Sequence, residues 1–189
     1  MSMRDMLAEL KKERERIINL ASAKAVERQH SRGKMTARER INFFYDPETF
    51  VELGLFAKPR ITGFDIDQQD ITGDGVITGS GMVGGRPVYG YAQDFTVAGG
   101  SQGSVHGKKA LRVMKQALKA RVPCVHMIDW GGVRVQDAVS RDLAASYQLF
   151  FYYHTVSSGV IPQIGLLMGP CAAGAAYSVD VDFGVPRTL

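Results

Sequence analysis

The sequence predicts an α/β fold behind a helical N-terminal arm. Three observations predict it. Short apolar runs alternate with stretches of helical spacing through the second half of the chain, as "VPCVHMID", "AVSRDLAASYQLFFYYHTVSSG" and "VIPQIGLLMG" show. Glycines stand at the ends of those runs, where strands turn. The first fifty or so residues are instead dense in Lys, Arg and Glu, with no strand-like run. The order strand, helix, strand, helix argues for parallel strands joined by right-handed crossovers. The arm is expected over residues 1–50 and the α/β unit over 51–189.

The elements follow in chain order. Met3, Met6, Leu7, Leu10, Ile17, Ile18, Ala21 and Ala25 keep helical spacing between charged residues. They predict one amphipathic helix of about 25 residues that packs or makes an oligomer contact. "TARERINFFYD" begins a second helix with Thr36, and Glu39 three residues on completes a capping box. Asp46-Pro47 stops it. In "DGVITGSGMVGGRPVYGYAQDF" two strand-like runs meet at Gly84-Gly85, a hairpin signal. "GGSQGS" is a glycine-rich loop, and "VHGKKALRVMKQALKA" a helix turning Val105, Leu111, Met114 and Leu118 to the core. "CVHMID" is a buried strand ending at Gly131-Gly132. A further helix, a strand "QIGLLMG" and a small-residue helix opening in "PCAAGAAYSVD" complete the series.

Composition narrows the function. The chain has 189 residues, 45% hydrophobic and 22% charged, enough for one domain with a core or one domain with an appendage. Lys plus Arg number 23 against 19 Asp plus Glu, a net +4. That surplus fits an anionic small ligand or a solvated helix face, and is too small to indicate nucleic acid. No apolar run approaches the ~20 residues that cross a bilayer. The N-terminal residues are too charged for a signal peptide, so a cytoplasmic setting is expected. Cys124 and Cys171 form no C-x-x-C pair, and His30, His106, His126 and His154 lie apart, so no metal site is expected.

Several glycine patterns invite chemistry. Gly79 to Gly84 matches G-x-G-x-x-G, but it runs into a hairpin, whereas a dinucleotide fingerprint opens a helix. Gly107-Lys108-Lys109 lacks both the leading glycine and the hydroxyl residue of a phosphate loop. Lys108 or Lys109 remains able to meet a phosphate as a point charge. Gly99-Gly100-Ser101-Gln102-Gly103 matches the G-x-S-x-G of a nucleophile elbow, with Asp129 or Asp142 and His154 as triad partners. The same loop before a helix start can instead hold an anion on its N–H groups. Two more glycine sites follow strands: Gly131-Gly132, and Ala173-Gly174 at a helix start. Open α/β sheets bind ligands beyond the carboxyl ends of their strands. Bare N–H groups there can stabilise a thioester enolate, or simply form a turn.

Four stretches, taken together, resemble one family. "GKMTARERINFFYDPETFVELG", "GDGVITGSGMVGGRPVYGYAQDFTVAGGSQGSVHGKKALRVMKQAL", "DWGGVRVQDAV" and "SSGVIPQIGLLMGPCAAGAAYS" are similar, in order, to the N-terminal part of biotin-dependent acyl-CoA carboxyltransferases. These are the β subunits of acyl-CoA carboxylases such as propionyl-CoA carboxylase, and the related decarboxylase subunits. The resemblance covers about residues 30 to 183. It implies a crotonase-like ββα superhelix. It implies transfer of a carboxyl group between carboxybiotin, carried on a biotin carboxyl carrier or biotin carboxylase partner, and the α-carbon of an acyl-CoA.

By the same resemblance, Gly131 and Gly132 are the backbone oxyanion donors. Ala173 and Gly174 are the glycine-rich helix start, and the loop Gly99, Gly100, Ser101, Gly103 lies near the CoA. Trp130 stands where the family has a small residue, and Ala173 where it has glycine. The family continues into a second crotonase-like domain bearing the biotin side. The expectation is therefore an N-terminal acyl-CoA-binding portion, an incomplete superhelix, working with that second domain in an oligomer. The alternatives are a non-catalytic CoA-binding or assembly fragment, and a serine hydrolase using Ser101.

Overall fold

The computed structural model describes residues 2–59, 68–137, 141–171, 174 and 176. Its centre is a five-stranded sheet in the order β1 (Val51–Glu52), β2 (Val76–Val83), β3 (Arg86–Gln93), β4 (Cys124–Trp130), β5 (Gln163–Cys171). The first three strands are antiparallel neighbours, while β3, β4 and β5 run parallel. Helix α4 (Ser104–Ala120) makes the crossover from β3 to β4, and α5 (Arg141–Ser157) that from β4 to β5. The expected alternation of strands and helices is observed. The strand expected as "CVHMID" continues through Trp130.

The hairpin turn is the predicted Gly84-Gly85, with φ of 56° and 72°. Two positive φ values match the right-handed twist of the flanking strands, and only glycine adopts the pair without strain. The Asp46 carboxylate fixes this turn, accepting the N–H groups of Gly84 at 3.0 Å and Gly85 at 2.9 Å.

The N-terminal region differs from expectation. One helix of about 25 residues was predicted by spacing; the chain forms α1 (Met3–Ile18) and α2 (Ala23–His30). Asn19 caps the end of α1, and the Ser22 hydroxyl caps α2 by accepting the Ala25 N–H at 3.2 Å. Asn and Ser compete for backbone groups, so they break a helix that the apolar spacing alone would continue. Of the predicted stripe on α1, Ile17 is buried, whereas Met3, Met6, Leu7 and Leu10 are exposed. Helix α3 (Ala37–Phe44) starts with the predicted reciprocal box: the Thr36 N–H donates to the Glu39 carboxylate at 2.7 Å and the Glu39 N–H to Thr36 Oγ1 at 3.3 Å.

Helix α3 covers one face of the sheet; α4 and α5 cover the other. On the α3 face Ile77, Val88, Ala92, Val125 and Met127 pack against Ala37, Ile41 and Tyr45. Three glycines make room there for two rings. A Cβ at Gly81 would lie 2.7 Å from the Tyr45 ring, one at Gly90 2.7 Å from the Tyr45 hydroxyl, and one at Gly79 2.6 Å from the Phe50 ring. The G-x-G-x-x-G pattern is thus two packing glycines and a turn glycine. On the other face Cys124 packs with Leu111, Met114 and Ala117, and Trp130 with Ile128 and Tyr147. Val105 and Leu118, expected in the core, are only half-buried; Ala110 and Val113 are buried instead.

Candidate active site

The two glycine segments singled out in the sequence meet at the carboxyl end of β4. The loop after β3 turns through Ala98, Gly99 and Gly100, three consecutive residues with φ of 46°, 63° and 65°. Ala98 is held in a region that L-residues with a side chain avoid, a strain that clusters at functional sites. The glycines are also needed for contact. A Cβ at Gly100 would lie 2.6 Å from the Asp129 carbonyl, and one at Gly131 2.6 Å from the Gly99 carbonyl. The Gln102 N–H donates to the Gly132 carbonyl at 2.9 Å, and the Arg134 N–H to the Gln102 carbonyl at 2.9 Å. Gly132 has φ of 106° and open space beyond its Cα. Among the described residues its N–H makes no hydrogen bond.

A buried ionic cluster holds this pair of loops. The Arg134 guanidinium, 2% exposed, pairs with Asp74 and also donates to the Ser101 carbonyl at 2.9 Å and the Ser101 hydroxyl at 3.2 Å. The other Asp74 oxygen accepts the His106 N–H at 2.6 Å, and Asp137 accepts the Ser104 N–H at 2.5 Å. Two carboxylates therefore occupy the first turn of α4, where the helix dipole favours them. They take the N–H groups that an external anion would have used. Gly103 packs so tightly here that a Cβ would sit 2.5 Å from Arg134, 2.7 Å from Asp74 and 2.9 Å from Asp137. Burial pushes the Asp74 carboxyl up, against the pull of Arg134.

A polar chain runs beside it. The Asp129 N–H donates to Gln93 Oε1 at 3.2 Å; Gln93 Nε2 lies 3.4 Å from His106 Nε2; and His106 Nδ1 lies 3.1 Å from the Asp74 carbonyl. A carbonyl only accepts, so Nδ1 carries the His106 proton and Nε2 is the acceptor. Burial, then the charges of Lys109 and Arg134, lower the His106 pKa to about 3, so the ring is neutral. Gln93, Gln102, His106, Trp130, Tyr147 and Gly174 line a cavity whose accessible volume of ≈ 20 Å³ holds a water or two. A Cβ at Gly174 would meet the Tyr147 hydroxyl at 2.5 Å. Burial raises the Tyr147 phenol, so it faces Gly174 protonated. The Trp130 indole N–H donates to the Gly132 carbonyl.

The opposite side of the β4 terminus carries a second cluster. The fully buried Asp129 carboxylate accepts from Lys34 Nζ at 2.7 Å, Arg40 at 2.7 Å and Gln29 at 3.3 Å. These ties bring α2, the following turn and α3 onto the strand end. Gly169 on β5 leaves the space in which Asp129 and Lys34 meet.

Several sequence-based assignments take a definite place. Gly99, Gly100, Ser101, Gly103, Gly131 and Gly132 form one assembly, and Gly174 lines the adjoining cavity. Ala173 lies outside the described residues. Ser101 does not form a triad: its hydroxyl donates to the Ala98 carbonyl at 2.8 Å and accepts from Arg134. Asp129 is held by the arm's cations, Asp142 pairs with Lys108, and His154 packs against His126 and Phe150. A serine nucleophile with those partners is not built. Lys109, expected to be free to meet a phosphate as a point charge, is buried and donates to the carbonyls of Gly73 at 2.9 Å and Val76 at 2.5 Å. Burial lowers its pKa to about 8.

Sequence reasoning missed Asp74, Gln93, Arg134 and Asp137. The signal for Asp74 was its setting between two glycines. Gly73, Asp74 and Gly75 all take positive φ, at 85°, 55° and 67°, a conformation that Asp tolerates better than most residues. Arg134 was visible only as a charge directly after Gly-Gly-Val.

Comparison with known proteins identifies the fold and the family. A carboxyl transferase domain model matches residues 28–183. The methylmalonyl-CoA decarboxylase subunit alpha of Propionigenium modestum is 46% identical over 96% of this chain and 35% of its own length. The propionyl-CoA carboxylase beta chain of Saccharopolyspora erythraea is 47% identical over 95% of this chain and 33% of its own. Transcarboxylase 12S, solved as a hexamer with methylmalonyl-coenzyme A bound, superposes with a TM-score of 0.90 at 41% identity, covering 96% of this chain and 35% of that one. The architecture is thus the crotonase-like α/β fold of carboxyltransferases. The chain spans about a third of the length of the curated relatives it matches. With the model match running from the arm through β5 and beyond, the chain belongs to the carboxyl transferase domain family.

Proposed function

We propose that this chain supplies the acyl-CoA-binding, enolate-stabilising part of a biotin-dependent carboxyltransferase. The reaction moves a carboxyl group between carboxybiotin on a carrier partner and the α-carbon of an acyl-CoA. The observation that carries the reading is the Gly132 backbone, with its N–H outside the hydrogen-bond network and open space beyond its Cα, at the end of a buried parallel strand.

As the α-carbon loses its proton or its carboxyl group, negative charge collects on the thioester oxygen. A preorganised N–H at Gly131 or Gly132 stabilises that oxygen more than the neutral carbonyl, which lowers the barrier. The N–H of Gly174, which lines the adjoining cavity, and that of Ala173 assist. The loop Gly99 to Gly103 runs alongside the CoA. Carboxybiotin supplies the carboxyl group; the chain's own residues hold the acyl group and its enolate. Relatives named for methylmalonyl-CoA and propionyl-CoA support a short acyl group. The biotin side would come from a second carboxyltransferase domain, in an oligomer.

The test is calorimetry of the 189-residue chain with propionyl-CoA, then acyl-CoA-dependent decarboxylation of carboxybiotin with and without a relative's second domain. Saturable binding, with turnover once the second domain is added, is the expected result. Absence of binding, or ester hydrolysis lost on Ser101→Ala, defeats the reading.

A further inference from the structure

We infer that Trp130 is a specificity-determining residue of this site, whose indole closes the acyl end and restricts it to short acyl groups. The inference rests on the proposed role of Gly131 and Gly132, and deepens it by naming the residue that sets the acyl length.

Position comes first. On β4 the side chains of Cys124, His126, Ile128 and Trp130 face α4 and α5, as their packing partners show. Trp130 is the last of these, adjacent to Gly131, and only 3% exposed. Its ring lies against Tyr147, and Tyr147 in turn lies against Gly174. The indole and the Tyr147 ring therefore stand between the end of β4 and Gly174.

Volume comes second. The cavity that Trp130 lines with Gln102, His106, Tyr147 and Gly174 has ≈ 20 Å³ accessible. It admits a water or two and no acyl carbons, so a chain that extends past the donor N–H groups meets the indole rather than free space. Gln102 is held by its bridge to the Gly132 and Arg134 backbone and His106 by Asp74. Tyr91, Ile128 and Phe150 also line it from the core between the sheet and the two helices, whereas the indole is the large group directly beside Gly131.

Coupling comes third. The indole N–H donates to the Gly132 carbonyl, so the group that limits size also sets the orientation of the peptide beside the proposed donor N–H. A ring packed against Tyr147 and bonded through its nitrogen makes a rigid wall, and a rigid wall discriminates by volume.

The test uses binding by the 189-residue chain to CoA, propionyl-CoA, butyryl-CoA and hexanoyl-CoA, with wild type, Trp130→Phe and Trp130→Ala. Wild type is expected to favour propionyl-CoA over hexanoyl-CoA by at least about tenfold, the scale of pocket discrimination by methylene count. Trp130→Ala is expected to abolish or reverse that ratio, and Trp130→Phe to reduce it while retaining the fold. Trp130 is the single tryptophan of the chain, so its emission gives an independent readout. Propionyl-CoA should shift it, whereas CoA alone should not. If Trp130→Ala fails to fold, the Phe variant and the emission decide. Binding with an unchanged chain-length ratio in the folded variants overturns the inference and leaves the proposed function standing. Absence of binding by every acyl-CoA to wild type overturns both.

Discussion

The two faces of β4 end differently. Toward α3 the strand presents Val125 and Met127, then the Asp129 carboxylate held by Lys34 and Arg40. Toward α4 and α5 it presents Cys124, His126 and Ile128, then the neutral indole of Trp130. The first face uses charge to fasten an arm. The second keeps its histidines uncharged and leaves a water-sized cavity. A single strand thus separates an electrostatic fastening from a face without charge on its strand side chains. The Asp74–Arg134 cluster borders that second face without filling it.

Acidification strains the α4 and α5 face most. Burial holds the His154 pKa at about 4, that of His106 at about 3, and that of His126 well below its usual value. The unfolded chain takes up these protons near pH 6.5, whereas the folded chain does not, so folding loses stability as pH falls from 6.5 toward 4. Each histidine contributes on the order of 1 kcal/mol per pH unit in that window, and the three act in the same direction. Asp74, with its raised pKa, binds its proton more strongly when folded and offsets part of the loss. Urea midpoints at pH 7 and pH 5 should show a steep fall; equal midpoints would mean that this face is hydrated.

Removing the charge on the other face is the next largest effect. Asp129→Asn leaves Lys34 and Arg40 facing each other without an anion, and should cost about 3–5 kcal/mol. Lys34→Met, at the more exposed partner, should cost less. Chemical denaturation of the two variants gives the order, and a reversed order would move the fastening from Asp129 to Lys34. Arg134→Lys keeps the charge beside Asp74 but loses the fork that also holds Ser101. It should cost about 1–2 kcal/mol and speed amide exchange at Gly99 to Gly103 while leaving α3 amides protected. Leu7→Gln and Leu10→Gln on exposed α1 should change stability by less than about 0.5 kcal/mol. A larger change would show that the stripe is covered in solution.

Much of this was legible in the sequence because period and glycine placement are local signals. Gly84-Gly85 specified the hairpin, Thr36 and Glu39 the start of α3, and the apolar runs the parallel strands. The break at Asn19 to Ser22 was hidden because periodicity carries across a short interruption, while capping depends on two residues. Lys109 misled because helical position alone cannot reveal carbonyls at Gly73 and Val76. Gly131-Gly132 read as a turn or a donor pair, and only contact with Gly99 and Gln102 shows how the two loops combine. Asp74 and Arg134 meet across 60 residues, and no local pattern announces such a pairing.

The Asp129 fastening also has a temporal side. Arg40 lies 89 residues before the carboxylate that holds it, and Gln29 lies 100 before. At a synthesis rate of about 5–20 residues per second, the arm leaves the ribosome roughly 5–20 seconds ahead of its anchor. Through that interval Lys34 and Arg40 lack the carboxylate that holds them, so this fastening must wait for β4 to emerge.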